Sequence, residues 1–190
     1  MFKTDPRKLL AQIARVLEKT GIPYLVTGGM AVVAWGRPRY TADIDTVIEF
    51  RDENIEVLAK ALMRLGKFGY VSKDAMKEAL RMRSEFNFID GNTGMKVDFW
   101  ISKNDEFARS QFARRVAQEI YGTKVYFASP EDLILSKLQW YKLSSSDRHL
   151  GDIESVFAVS GDKLNREYLA EWAGKLGVFD LLSPFLTTPR

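Results

Sequence analysis

The stretch TGGMAVVAWGRPRYTADID (Thr27–Asp45) decides the fold and carries most of the recognisable chemistry. An apolar strand precedes it and breaks at Gly28-Gly29, and a short apolar helix and a basic loop follow. The stretch ends in a second strand that holds Asp43 and Asp45. Because side chains alternate along a strand, these two carboxylates share one face. Carboxylates that close repel each other unless a cation or a shared proton compensates them, so the pattern indicates such a site.

Composition limits the chemistry that such a site can use. The 190 residues include no cysteine and one histidine, which excludes disulfides, zinc thiolates, a thiol nucleophile and a histidine metal cluster. Oxygen-only ligand sets favour Mg²⁺, Mn²⁺ or Ca²⁺. The chain shows no signal segment and no membrane-spanning run, so we expect a cytoplasmic protein without a membrane partner. A net charge of +3 permits a polyanionic partner without requiring one.

Strands and helices alternate in the first two thirds of the chain, whereas the last third is helical. We therefore predict an α/β (α+β) fold, with a small mixed sheet, helices on one side of it, and a helical C-terminal part. The boundary lies at Ser129-Pro130-Glu131-Asp132, a strong helix start. This gives an α/β core over residues 1–128 and a helical subdomain over residues 129–190. From Leu181 onward we expect a tail.

A third carboxylate, Asp98, lies on a predicted strand. Residues Ser84–Asp90 and Met95–Ile101 alternate in polarity around a glycine-rich turn and predict a hairpin. If its second strand lies beside that of Asp43 and Asp45, the three carboxylates converge. Three carboxylates can hold two divalent ions, the arrangement used for phosphoryl or nucleotidyl transfer. We then expect Asp98 within about 10 Å of the other two, because metal–oxygen bonds span only about 2–2.6 Å.

The residues just before the two aspartates suit phosphate. A bare turn at a helix N-terminus, here Gly28 and Gly29, lets backbone N–H groups approach a phosphate closely. Arg37 and Arg39 are suited to hold phosphate oxygens. The alternatives are an ordinary tight turn and ordinary loop charges.

Lys137 lies in the middle of an apolar helix face. With the helix starting at Pro130, the neighbours of Lys137 on this face are Leu133, Ile134, Leu138 and Tyr141. A lysine there is costly unless it is paired or bound to an anion. Asp152, at the border of the next helix's apolar stripe, is a natural partner, although it also fits a plain helix cap.

These motifs together resemble the polymerase-beta-like nucleotidyltransferase superfamily, and specifically its minimal AbiEii-toxin-like branch. The resemblance lies in Gly28-Gly29, Asp43-Ile44-Asp45 and Asp98. The segments Ser129–Leu138 and Ser146–Ile153 extend it into the helical part. Thr46 departs from the pattern, since an apolar residue usually follows the second aspartate.

The resemblance implies transfer of a nucleoside monophosphate from a nucleoside triphosphate to a hydroxyl acceptor. It implies two Mg²⁺ or Mn²⁺ ions bound by Asp43, Asp45 and Asp98, and catalytic roles for these aspartates, Lys137 and Asp152. Lys137 would contact nucleotide phosphate or base, and Asp152 would orient it or assist the acceptor.

The acceptor remains open at the level of sequence. An RNA such as tRNA or a protein would suit a toxin-like enzyme with a cognate antitoxin as partner. A small-molecule antibiotic acceptor is a further option, as is a catalytically silent module of the same fold that binds nucleotide, RNA or protein. A basic stripe on one predicted helix, formed by Lys73, Lys77 and Arg81, is either a solvated face or a contact for a nucleic-acid backbone.

Overall fold

A seven-stranded mixed sheet organises the fold in the computed structural model, which describes residues 5–187. The strands are β1 (Tyr24–Val26), β2 (Asp43–Ile48), β3 (Tyr70–Val71), β4 (Glu85–Ile89), β5 (Lys96–Ile101), β6 (Val116–Ile120) and β7 (Thr123–Phe127). The helices are α1 (Pro6–Thr20), α2 (Gly28–Trp35), α3 (Asn54–Met63), α4 (Lys73–Met82), α5 (Glu106–Arg114), α6 (Pro130–Ser144), α7 (Asp147–Ser160), α8 (Arg166–Lys175) and α9 (Phe179–Thr187), with a short 3-10 helix at Gly161–Lys163.

The strand order is β3-β4-β5-β2-β1-β7-β6. Strand β2 runs parallel to β5 and β1 runs parallel to β7, whereas the other neighbouring strands are antiparallel. The predicted α/β (α+β) class with a mixed sheet is confirmed. The hairpin predicted around Asp98 is also present, as the antiparallel pair β4–β5.

Alternation along β2 and β4 separates a buried face of the sheet from a less buried one, which we call the open face. On β2, Ile44, Thr46 and Ile48 are fully buried, whereas Asp43 and Asp45, which alternate with them, are only half-buried. Helices α1, α3 and α4 pack against the sheet and supply apolar side chains to the core. The side-chain period of two therefore fixes which residues are left for chemistry on the open face.

The described chain forms two compact units. The first combines the residues up to Met30 with Tyr40–Phe127, and it contains the whole sheet. The second combines Ala31–Arg39 with the helical residues from Ala128 onward. Within residues 5–187, no helix is both long and apolar enough to cross a membrane.

The tail expected from Leu181 is wrong, because the chain there continues as α9 up to Thr187. Leu182 of this helix is completely buried, so tertiary packing offsets the unfavourable Pro184 in its interior. Residues 188–190 of the expected tail lie outside the described residues.

Candidate active site

The three predicted aspartates lie on adjacent strands and on the open face. In the parallel pair of β2 and β5, the Cα of Asp45 lies opposite that of Asp98, and Asp43 lies opposite Lys96. Neighbouring strands are about 4.8 Å apart, which is well within the separation expected from the sequence. Asp98 is 5% exposed, whereas Asp43 and Asp45 are half-buried. The structure thus brings the three carboxylates together.

Each carboxylate already has a partner. Thr41 Oγ1 donates a hydrogen bond to Asp43 Oδ1 at 3.0 Å, and Trp100 Nε1 donates a long one to Asp45 Oδ1 at 3.5 Å. Lys96 Nζ lies 2.8 Å from Asp98 Oδ2. The hydrogen bond to Asp98 raises the pKa of Lys96 and outweighs the opposing effect of burial, so the lysine stays charged.

The three side chains fit a divalent cation, because their candidate ligand atoms are all carboxylate oxygens and the strand register sets them close together. The side chains do not form a preassembled cage, however. Among residues 5–187, no group of three or more acidic or histidine side chains is arranged to hold a metal ion.

The position of Asp45 requires a glycine at position 28. The φ angle of Gly28 is +58°, and a Cβ built on it would lie 1.8 Å from Asp45 Oδ2. The backbone N–H of Thr27 also donates to the carbonyl of Asp45 at 2.9 Å. Gly28 and Gly29 form the first turn of α2, where backbone N–H groups have no partner within the helix. A residue with a side chain at position 28 would displace the carboxylate.

Strand β4 adds two polar residues that the sequence reasoning missed. Asn87 lies opposite Asp98 and Glu85 lies opposite Trp100, and both are exposed. Partial burial and the negative charges of Asp98 and Asp45 raise the pKa of Glu85, although Lys96 counteracts them. The alternation Glu85-x-Asn87 was a usable signal, because it predicts polar side chains on the same face as Asp98.

A second charged cluster lies in the second unit. Arg39 contacts Asp152 through two hydrogen bonds, Nε to Oδ1 at 2.7 Å and Nη2 to Oδ2 at 3.0 Å. Lys137 Nζ lies 2.8 Å from Asp152 Oδ2, so the pairing expected for Lys137 is present. Burial raises the pKa of Asp152, but the hydrogen bonds from Lys137 and Arg39 outweigh it and lower the pKa below its usual value. One carboxylate thus pairs with two cations.

The same unit contains an open basic cleft of about 370 Å³. Its lining residues are Arg37, Pro38, Arg39, Arg148, Gly151, Asp152, Glu154 and Ser155. The backbone N–H of Arg37 donates to Ser155 Oγ at 2.6 Å, which anchors the loop. Among the described residues, the guanidinium groups of Arg37 and Arg148 have no carboxylate partner, and both residues are exposed. In the sequence, Arg148 belongs to the segment Ser146–Ile153, and nothing in that pattern predicts a role for it.

His149, which follows Arg148 in the chain, has a pKa below the usual value for a histidine. Burial and the positive charge of Lys137 lower the pKa of His149, and Asp152 compensates only partly. Its Nδ1 is buried without a hydrogen-bond partner in the part of the chain that the structure describes. His149 therefore adds no positive charge to the cleft at neutral pH.

The sequence profile of the nucleotidyl transferase AbiEii toxin family, described as a type IV TA system, matches residues 8–181. The chain belongs to this family. It is a nucleotidyltransferase, and solved structures of nucleotidyltransferases share its fold. No curated protein matches the chain significantly.

Three solved structures illustrate the shared fold of the AbiEii-family chain. ANT(2″)-Ia in complex with adenylyl-2″-tobramycin has a TM-score of 0.58 at 17% identity, covering 91% of this chain and 97% of that one. An antigenic nucleotidyltransferase-like protein from Paracoccidioides brasiliensis has a TM-score of 0.55 at 17% identity, covering 95% and 91%. The lincosamide antibiotic adenylyltransferase LnuA, bound to lincomycin, has a TM-score of 0.54 at 13% identity, covering 82% and 98%.

The basic stripe of this AbiEii-family chain is neutralised by neighbouring acids. Lys73 Nζ lies 2.7 Å from Glu56, and Arg81 Nη2 lies 2.5 Å from Glu78. Lys77 Nζ is 3.9 Å from Asp74 Oδ1. All these pairs are exposed to solvent. We therefore interpret the stripe as a solvated helix face and not as a row of cations that contacts a nucleic acid.

Proposed function

We propose that this AbiEii-family nucleotidyltransferase transfers a nucleoside monophosphate from a nucleoside triphosphate to a hydroxyl acceptor at Asp43, Asp45 and Asp98. The observation that carries the proposal is the register of β2 and β5, which sets Asp45 opposite Asp98 and leaves Asp43 on the same face. A domain that only binds a partner has no need for three adjacent carboxylates, whose repulsion is unfavourable. This argues against the catalytically silent alternative.

The proposed reaction is an in-line displacement. The acceptor oxygen attacks the α-phosphorus, the bond from the α-phosphorus to the bridging oxygen breaks, and pyrophosphate leaves. Asp98, the most buried of the three, is suited to take the acceptor proton. The three aspartates are the residues that would hold two Mg²⁺ or Mn²⁺ ions, which supply the positive charge that phosphoryl transfer requires.

Charge and backbone geometry support a nucleoside triphosphate as the substrate. Gly28 and Gly29 offer backbone N–H groups without a side chain in the way. In the second unit, Lys137 and Arg39 are two cations that pair with one carboxylate, and such cations suit phosphate oxygens. Arg37 would add a further phosphate contact. Because nucleoside triphosphates are cytoplasmic substrates, the proposal places the activity in the cytoplasm.

For the acceptor we propose an RNA such as tRNA, or a protein, in keeping with a toxin that has a cognate antitoxin. The family description supports this choice, because it names a toxin of a type IV TA system. A cationic antibiotic is the second candidate, and one observation favours it. Glu85 adds a fourth carboxylate to the open face beside Asp98, and a positively charged acceptor would be attracted there. ANT(2″)-Ia carries an adenylylated tobramycin in its solved complex.

Transfer of label from α-³²P-labelled nucleoside triphosphates tests these proposals. The purified chain is incubated with Mg²⁺ or Mn²⁺ and each nucleotide, in separate reactions with total RNA, cellular protein and tobramycin. Label on RNA or protein supports the first acceptor class, and label on tobramycin supports the second. The Asp43→Ala, Asp45→Ala double variant is the control and should label nothing. Absence of label from every acceptor with the wild-type chain would contradict the proposed activity.

A further inference from the structure

Lys96 has a position that the proposed reaction does not use. It lies on the open face of β5, two residues before Asp98, and its Cα is opposite Asp43 on β2. Its ammonium group contacts Asp98 Oδ2 at 2.8 Å. Lys96 therefore supplies a positive charge directly to the carboxylate cluster.

The two partners of this ion pair differ in how easily they can move. The side chain of Asp98 is 7% exposed, whereas that of Lys96 is 47% exposed. A lysine side chain has a flexible four-carbon stem, so its ammonium can turn outward into water at little cost. The buried carboxylate cannot follow it. Asp98 is thus the fixed partner and Lys96 the mobile one.

An ammonium in contact with Asp98 Oδ2 disfavours a divalent ion on the same carboxylate. A Mg²⁺ ion coordinates a carboxylate oxygen at about 2.0–2.1 Å, and Lys96 Nζ lies 2.8 Å from Asp98 Oδ2. The two positive charges would then be only a few ångströms apart and would repel each other.

We propose that Lys96 competes with the divalent ion for Asp98 and thereby sets the metal affinity of the site. The ammonium compensates the carboxylate cluster, and the ion must displace it. The inference rests on the proposed function in one respect, which is that Asp98 is a metal ligand. It goes further by giving Lys96 a role opposite to that of a phosphate-binding lysine.

Mn²⁺ binding to the full chain tests the inference without any activity measurement. Free Mn²⁺ is followed by its electron paramagnetic resonance signal for the wild type, Lys96→Met and Lys60→Met. Lys60 is an exposed lysine on α3, so its replacement removes the same charge away from the open face. Loss of the competing pair and of the repulsion should tighten binding by Lys96→Met about five- to twentyfold, and the Lys60 control should change it less than about twofold.

A second measurement covers the case in which Lys96→Met does not fold. Lysines of the wild-type chain are dimethylated with ¹³C, and the Lys96 signal is assigned with Lys96→Arg, in which it is missing. Titration with Mg²⁺ should shift this signal in step with metal binding. A signal that stays in place while other signals report metal binding contradicts the competition.

The outcomes separate the inference from the proposed function. An unchanged or weaker Mn²⁺ affinity in Lys96→Met, with a wild type that binds Mn²⁺, overturns the role of Lys96 and leaves the metal site standing. Mn²⁺ binding by Lys96→Met, with none by the wild type or by Lys60→Met, supports the inference and means that Lys96 excludes the ion completely. Absence of binding in every variant removes both the competition and the metal dependence.

Discussion

Replacing Asp152 with Asn removes the carboxylate that pairs with both Arg39 and Lys137. Two ion pairs at contact distance are worth about 4 kcal/mol each at an effective dielectric constant of about 20. In the native cluster, much of this gain is offset by the cost of taking three charges out of water. In the variant, the cost for the two cations remains while the attraction is gone.

The expected loss in the free energy of unfolding follows from how deeply the cations lie. Breaking a buried ion pair typically costs about 3–5 kcal/mol. The side chains of Lys137 and Arg39 keep 11% and 23% of their exposure and can partly turn toward water. We therefore expect the lower end of the range, about 3 kcal/mol, which is a large share of the roughly 5–15 kcal/mol that stabilise a typical domain.

Urea unfolding at pH 7 measures this loss, with Glu154→Gln as the matched control. Glu154 is an exposed acid on the same helix and lines the same cleft, and the described residues offer it no partner. Its replacement should change the free energy of unfolding by less than about 0.5 kcal/mol. A loss below about 1 kcal/mol for Asp152→Asn would refute the reasoning that the carboxylate balances two buried cations.

The pH dependence provides an independent check on the same pair of proteins. The pKa of Asp152 is lower in the folded chain than in the unfolded one. Ionised Asp152 therefore contributes its full stabilisation of the folded chain above the pKa of an aspartate in the unfolded chain, about 3.9. This stabilisation is lost as the pH falls through the lower pKa of Asp152 in the folded chain. The stability difference between wild type and Asp152→Asn should accordingly be constant near neutral pH and shrink below about pH 4.

Three further predictions concern the sheet and its surroundings. Gly28→Ala should lower the free energy of unfolding by about 2–4 kcal/mol and weaken Mn²⁺ binding, because the added Cβ overlaps Asp45. Gly94 is the control, since its φ is +72° but the space around it is open. Gly94→Ala should lower the free energy of unfolding, measured by heat or urea, by only about 1–2 kcal/mol. Thr46→Val should raise the free energy of unfolding by about 1–2 kcal/mol in urea, since Thr46 Oγ1 is buried and has no partner among residues 5–187. Alanine substitution of the whole basic stripe should leave the affinity for single-stranded RNA within about twofold at 150 mM salt, and a tenfold loss would restore the nucleic-acid interpretation.

The sequence was sufficient to predict those parts of the site that depend on local periodicity. Alternation along the strands predicted that Asp43 and Asp45 share a face, and the helical period predicted that Lys137 lies among apolar neighbours. The parallel pairing of β2 with β5 could not be derived in the same way. A hairpin leaves open which of its strands joins the rest of a sheet, so the convergence with Asp98 was conditional until the register was known.

Contacts between distant segments left no local signal. Arg37 and Arg39 are two residues apart in one basic loop, and the sequence offered no reason to treat them differently. The pairing of Arg39 with Asp152 joins positions that are 113 residues apart. Strand β3 has only two residues, too few for a pattern to emerge, and the buried Leu182 of α9 reflects packing that a window of sequence does not contain.

Four basic residues of the second unit fall into two kinds, those that pair with a carboxylate and those that do not. Arg39 and Lys137 are held by Asp152, so their positions are fixed and reaching a ligand costs them little conformational entropy. Arg37 and Arg148 are exposed and have no carboxylate partner in the described chain, so they must lose side-chain freedom on binding. A preorganised charge stabilises a developing phosphate charge better than a mobile one does. Within the second unit, Arg39 and Lys137 are therefore preorganised to hold a bound phosphate, whereas Arg37 and Arg148 are better suited to attracting an anion from solution.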